Sequence, residues 1–166
     1  HGRSRSVPIQ DTLRAMEDLV DRGQVRYIGV SNFSADELRE AQAAMRHYPI
    51  VSNQVLYNLK AREIEQDLLP YCQQHNVTIL AYTPLADGRL AVKPQLRRTR
   101  GMRALERLAG ETQKTLAQVV LNWCVSRPNV IVIPKSNSLA RTEENCGASG
   151  WRLSAVQIEL LDEAFS

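Results

Sequence analysis

The chain has only three cysteines, Cys72, Cys124 and Cys146. They are odd in number, without metal-ligand spacing, and each falls in a helical pattern, so buried free thiols in a reducing compartment are the expectation. No metal site is expected. No apolar run is long enough to span a bilayer and no signal peptide is recognisable, which excludes a membrane partner and points to the cytoplasm. A strong excess of one charge is also missing. Lys and Arg total 21 against 18 Asp and Glu, a net charge of +3, too weak and scattered to indicate nucleic acid. One dense basic run, Lys93, Arg97, Arg98, Arg100 and Arg103, reads as a solvated loop, with an anion contact as its alternative. Internal repeats and low-complexity segments are absent. So is an initiating methionine: the chain opens at His1, which is either the start of a fragment or an added residue.

What is present is ordinary globular material. Hydrophobic residues make up 43% and charged residues 23% of 166 residues, enough for one domain over 1–166 with a real core. Four nearly continuous apolar runs stand out: "VRYIGV" from Val25, "IVSNQVL" from Ile50, "VTILAYT" from Val77 and "VIVIP" from Val130. Continuous runs suggest strands buried on both faces, as in a parallel sheet. Helical patterns separate them. Ile9, Leu13, Met16 and Val20 recur behind Pro8 and stop at Gly23. Ser34 with Glu37, Thr115 with Gln118, and Ser154 with Gln157 match capping boxes, in which a hydroxyl takes an orphan amide while the later side chain reaches back. Leu68, Leu69 and Cys72 mark another helix, Val119, Val120, Trp123 and Cys124 a further one, and Ile158, Leu161 and Phe165 the last. Strand and helix thus alternate four times, as repeated βα units. The connection from Ala86 to Gly101 has no clear period, and loops of that length are usually functional or mobile.

In α/β folds, ligand-binding groups gather at the carboxyl ends of strands. That edge here offers Ser31 and Asn32 after the first strand, Gln54 on the second, Tyr82, Thr83 and Leu85 after the third, and Lys135 and Ser136 after the fourth. A planar heterocycle bearing a carboxamide and phosphates would use such a set. Tyr82 could stack on the ring while Ser31, Asn32 and Gln54 meet the amide. Lys135 and Arg141 would hold a phosphate, as a point charge and a planar fork respectively. Glu144 and Asn145 could bond an adenine. Each residue also has a plain structural role open to it: Asn32 as a cap, Gln54 as partner to a backbone group, Tyr82 as core, Arg141 with Glu144 as a surface pair at i, i+3.

"GVSNF", "NQVLYN", "AYTPLADG" and "VIVIPKSNSLARTEEN" together resemble, in order, the aldo-keto reductases. The resemblance runs from about Val7 to Phe165. It implies a partial TIM-type (β/α)8 barrel, about four parallel strands alternating with helices, in a chain forming a C-terminal half-barrel. It further implies NADPH as cofactor and a small carbonyl compound, an aldehyde or ketone, as substrate. Ser31, Asn32 and Gln54 would bind the nicotinamide carboxamide, Tyr82 would stack on the ring, and Thr83, Pro84 and Leu85 would line the pyrophosphate. Lys135, Ser136 and Arg141 would contact the adenosine 2′-phosphate, and Glu144 and Asn145 the adenine.

The family's catalytic set is an Asp, a Tyr acid, a Lys and a His, of which the first three belong to the first half of the barrel and have no counterpart here. The Tyr protonates the carbonyl oxygen and the Lys lowers its pKa. The family's His ends a strand shortly before a Pro-started helix, as His1 lies shortly before Pro8, so the resemblance implies His1 as the catalytic His. The Arg89 to Arg103 stretch departs from the glycine-rich loop usual in the family. A nucleotide-binding module without turnover and a half-barrel scaffold or interaction protein remain the rivals to a reductase. Four strands of an eight-stranded barrel leave two unpaired edges, so a homodimer, or pairing with another half-barrel, is expected.

Overall fold

The computed structural model describes residues 7–92 and 99–166. His1, Lys93, Arg97 and Arg98 fall outside the described residues. The elements run α1 (Ile9–Asp21), β1 (Ile28–Ser31), α2 (Ala35–Ala44), β2 (Ile50–Leu56), a single 3-10 turn (Glu63–Glu65), α3 (Leu68–Gln74), β3 (Thr78–Tyr82), α4 (Arg100–Thr112), α5 (Leu116–Val125), β4 (Val130–Ile133), α6 (Leu139–Cys146) and α7 (Ala155–Ala164). The four parallel strands follow the order β1-β2-β3-β4 and alternate with helices. The residues divide into two compact units, one of residues 1–55 and 63–80, the other of 56–62 and 81–166.

In the first unit, α1 buries Ile9 and Leu13 and packs on α2. Pro8 is its N-cap, one position ahead of the first turn, and gives no side-chain cap. Gly23 at φ 67° lets the chain turn away after the helix, a conformation that favours glycine. Ser34 and Glu37 form the expected capping box on α2. Strand β1 pairs with β2 as Ile28 with Ile50, Gly29 with Ser52, Val30 with Asn53 and Ser31 with Gln54, with a slip between Ile28 and Gly29. The slip leaves Val51 as an extra residue, a bulge that re-aims everything after it. Gly29 sits where a Cβ would collide with the Ser52 hydroxyl, so a side chain there would force that hydroxyl aside.

The second unit is built around α5, eight of whose ten residues are buried. Helix α5 packs against α4, α6 and β4, and α4 packs against α7. Thr115 with Gln118 and Ser154 with Gln157 cap α5 and α7 as expected. Asp162 of α7 gathers Arg127 on both oxygens at 2.7 Å and the Trp123 indole N–H at 2.9 Å. The guanidinium of Arg62 lies 3.2 Å from the same carboxylate. The Trp123 ring, fully buried, lies beneath both guanidiniums at 5.3 and 5.0 Å, a cation–π pair that holds the start of this unit to its end.

Three expectations are corrected. The strands are not buried on both faces: β3 alternates buried Ile79 and Ala81 with half-buried Thr78, Leu80 and Tyr82, and β4 leaves Ile131 and Ile133 53% and 40% exposed. Successive side chains point to opposite faces, and within this chain one face lacks the cover the other has. Cys146 is exposed while Cys72 and Cys124 are buried, because Cys146 ends α6, a helix with no buried residue. The aperiodic stretch ends at α4, whose N-cap Thr99 accepts from Met102 N–H at 3.2 Å and whose Met102, Leu105 and Leu108 are buried. Arg100 and Arg103 of the basic run are exposed on this helix, Arg100 lying 3.6 Å from Glu163.

Candidate functional site

In the first unit the bulge decides which residues meet. Without it, Ser31 would stand opposite Asn53; with it, Ser31 stands opposite Gln54. The Ser31 hydroxyl donates to the Gln54 carbonyl at 3.0 Å, and the Asn32 N–H donates to the same oxygen at 2.9 Å. Asn32 takes φ 56°, the left-handed region that Asn tolerates better than most residues. One residue on, the buried Asn53 amide accepts from Phe33 N–H at 3.4 Å and donates to Phe33 C=O at 2.8 Å. Ser31, Asn32 and Gln54 are thus drawn together. The side-chain amides of Asn32 and Gln54 have no hydrogen-bond partner among the described residues, which leaves their donors and acceptors open to a ligand.

In the second unit β3 delivers Tyr82, half-buried, into a turn that starts at Thr83 with φ 52°. A β-branched residue is strained there. Two hydrogen bonds on its carbonyl hold it, from the Asn58 amide and from Ala86 N–H, each at 3.0 Å. Asn58 is itself fixed, accepting Lys60 N–H at 2.8 Å and exchanging backbone bonds with Ala61. Pro84 is buried and Leu85 half-buried, and Ala86, Asp87 and Gly88 continue at positive φ.

Strand β4 leads to Lys135, exposed, and Ser136, whose hydroxyl accepts from Ser138 N–H at 3.1 Å and donates to Ser138 C=O at 2.9 Å. That hydroxyl shapes the entry to α6. Arg141 is exposed on α6, and Glu144 and Asn145 are half-buried. Neither Lys135 nor Arg141 has an ion-pair partner among the described residues, and Arg141 does not pair with Glu144. The helix is anchored from α5: Gln118 donates to Glu144 C=O at 3.0 Å. Asn122, fully buried, donates to Ala148 and Trp151 carbonyls at 2.9 Å and accepts from Leu153 N–H at 3.0 Å. The expected catalytic His1 lies outside the described residues. Among the described residues no group of three or more His, Cys, Asp or Glu could hold a metal ion, and no helix is long and apolar enough to cross a membrane.

The sequence pattern of the Aldo/keto reductase family matches residues 1–165. The chain belongs to the aldo/keto reductase family. It is 33% identical over 162 residues to the methylglyoxal reductase YeaE of Escherichia coli, which covers 98% of this chain and 56% of that protein. A thermostable aldo-keto reductase crystallised with the inhibitor epalrestat superposes with a TM-score of 0.89 at 38% identity, covering 99% of this chain and 57% of that one. An aldo/keto reductase from Klebsiella pneumoniae, crystallised with NADP and acetate, gives 0.86 at 36% identity, covering 99% and 56%. This chain therefore spans little more than half the length of these relatives, and its fold is part of the aldo-keto reductase TIM barrel.

Within this aldo-keto reductase chain, sequence reasoning missed the supports. Asn53, Asn58 and Asn122, with Glu17, are the buried polar side chains among the described residues, and each asparagine bonds backbone beside a segment carrying candidate groups. A signal existed: Asn53 interrupts an apolar strand run, and a buried amide must find partners.

Proposed function

We propose that the chain is the C-terminal, nucleotide-binding half of an NADPH-dependent reductase of aldehydes or ketones. The observation that carries this reading is the pair of cations Lys135 and Arg141, both exposed and neither ion-paired among the described residues. An unpaired Lys after β4 with an unpaired Arg six positions on, in α6, suits a phosphate, the Lys as a point charge and the Arg as a fork. The donor set fits the rest of the cofactor. Ser31, Asn32 and Gln54 would meet the carboxamide, Tyr82 the nicotinamide face, Thr83, Pro84 and Leu85 the pyrophosphate, Ser136 the 2′-phosphate with the two cations, and Glu144 and Asn145 the adenine. When bound, NADPH supplies the electrons and hydrogen that reduce a carbonyl to an alcohol. Support comes also from the Klebsiella relative, whose structure holds NADP.

The test is calorimetric titration with NADPH and NADH. A charge-assisted pair contributes roughly 1.5–3 kcal/mol, so NADPH should bind at least about tenfold more tightly. Lys135→Ala should remove that preference. Equal affinities, or a preference that survives in Lys135→Ala, would overturn the clamp. The chain alone should bind without useful turnover, since nothing in it matches the family's Asp, Tyr and Lys and general acid–base catalysis supplies roughly 10²–10⁴-fold.

The same reading puts the protein in the cytoplasm, where its three cysteines, none in a disulfide, would stay reduced. It also carries an expectation of assembly as one C-terminal half-barrel domain. Among the described residues, β1 and β4 each have a hydrogen-bonded strand on one side only, and β4 exposes Ile131 and Ile133. A second copy of the chain pairing at these edges would close them. Light scattering at micromolar concentration decides: a stable species near 18.7 kDa would overturn the pairing.

A further inference from the structure

We infer that Asn53 is a positioning residue for nicotinamide recognition, acting through the backbone of Asn32; this rests on the function proposed above. Asn53 is fully buried in the middle of β2, where a polar side chain is unfavourable unless both ends of its amide are satisfied. Both ends go to one residue. The carbonyl oxygen accepts Phe33 N–H at 3.4 Å and the amide nitrogen donates to Phe33 C=O at 2.8 Å. This is the pattern of a strand pair, supplied by a side chain just where β1 ends as a strand and its backbone turns.

The consequence falls on the residue in between. Ser31 and Asn32 both bond the Gln54 carbonyl, and Phe33 is clasped by Asn53, so two successive residues of β2 hold the last residue of β1 and the two that follow it. Asn32 stands at φ 56° inside that clasp. A left-handed non-glycine residue is held against an intrinsic preference for the right-handed regions, smaller for Asn than for most residues, so it persists where its neighbours over-determine it. Without the clasp, Asn32 relaxes toward the ordinary regions and its amide leaves the place where it meets a carboxamide. The Asn53 side chain hydrogen-bonds Phe33 and not Asn32, so its effect on the ligand is indirect.

The experiment compares NADPH with 2′-phospho-ADP-ribose, the same molecule without nicotinamide, by calorimetry on the full chain. Wild type should bind NADPH more tightly than the fragment, and that gap reads nicotinamide recognition. In Asn53→Asp, which keeps the shape and loses the amide donor, NADPH affinity should fall by about tenfold while fragment affinity stays within about twofold. Asn53→Ser, which shortens the side chain but keeps a donor, should show a smaller loss and decides the matter if Asn53→Asp does not fold. Equal weakening of both ligands, or unchanged binding of both by a folded variant, would show a purely structural residue and overturn the inference. Equal wild-type affinity for the two ligands would overturn it while leaving the phosphate clamp standing. Binding of neither ligand by wild type would overturn the proposed function as well.

Discussion

The side-chain amide of Asn58 donates to the carbonyl oxygen of Thr83 at 3.0 Å, and Thr83 is a β-branched residue at φ 52°. The buried amide holds in place a conformation the local chain disfavours, directly after Tyr82. Asn58→Ala removes that donor and also leaves Lys60 N–H without its acceptor. The expected loss is about 1–3 kcal/mol of unfolding free energy, measured by urea denaturation with an unchanged slope. Wild-type stability would show that the Thr83 turn holds itself.

Gly101 should resist alanine although it lies inside a helix. In an open helix the change stabilises by roughly 0.5–1 kcal/mol. Here a Cβ would meet the Phe165 ring at 2.8 Å, so Gly101→Ala is expected to destabilise by about 1–3 kcal/mol. Trimming the ring in a Gly101→Ala, Phe165→Leu double variant should recover part of the loss. The sign of the single-variant change in thermal midpoint is the check.

Glu17 ties the first unit together through one oxygen, which accepts N–H bonds from Arg46, His47 and Tyr48 at 2.9, 2.8 and 3.2 Å. Burial pulls its pKa up, but the three backbone donors outweigh it and hold the carboxyl below its ordinary value of 4.5. A pKa depressed by folding contributes stability that is fully present above 4.5 and is lost as pH falls through the folded value. Wild type should therefore lose stability below that pH more steeply than Glu17→Gln, whose own deficit at pH 7 is about 1–3 kcal/mol. Parallel pH profiles for the two proteins would contradict the assignment.

Thiol titration should separate the cysteines. Burial pushes the Cys72 thiol up to about 11, so at pH 8 it is almost entirely protonated and inert. Cys146 is exposed and should react quickly and stoichiometrically with a disulfide reagent in the folded protein. Cys146→Ser should abolish that fast phase, and the buried Cys72 and Cys124 should appear only on unfolding. More than one fast equivalent in wild type would mean the buried pair is accessible.

The local features were legible because their chemistry is local. Ser34 with Glu37, Thr115 with Gln118 and Ser154 with Gln157 are three residues apart, so the capping boxes follow from sequence and form in the structure. The run from Ile50 to Leu56 is the strand β2 without a residue's difference, since strand propensity and flanking breakers coincide there. Four motifs in order suffice for the family, and the same motifs carry the candidate cofactor residues. Tertiary structure alone decided what those residues rest on. The amides of Asn53, Asn58 and Asn122 find their carbonyls 20, 25 and 26 positions away, beyond the reach of any local pattern. The one-residue slip between Ile28 and Gly29 depends on two strands meeting, and it is what sets Ser31 against Gln54. Exposure of Cys146, Ile131 and Ile133 likewise depends on which neighbours arrive, because an apolar side chain is buried only when another element covers it.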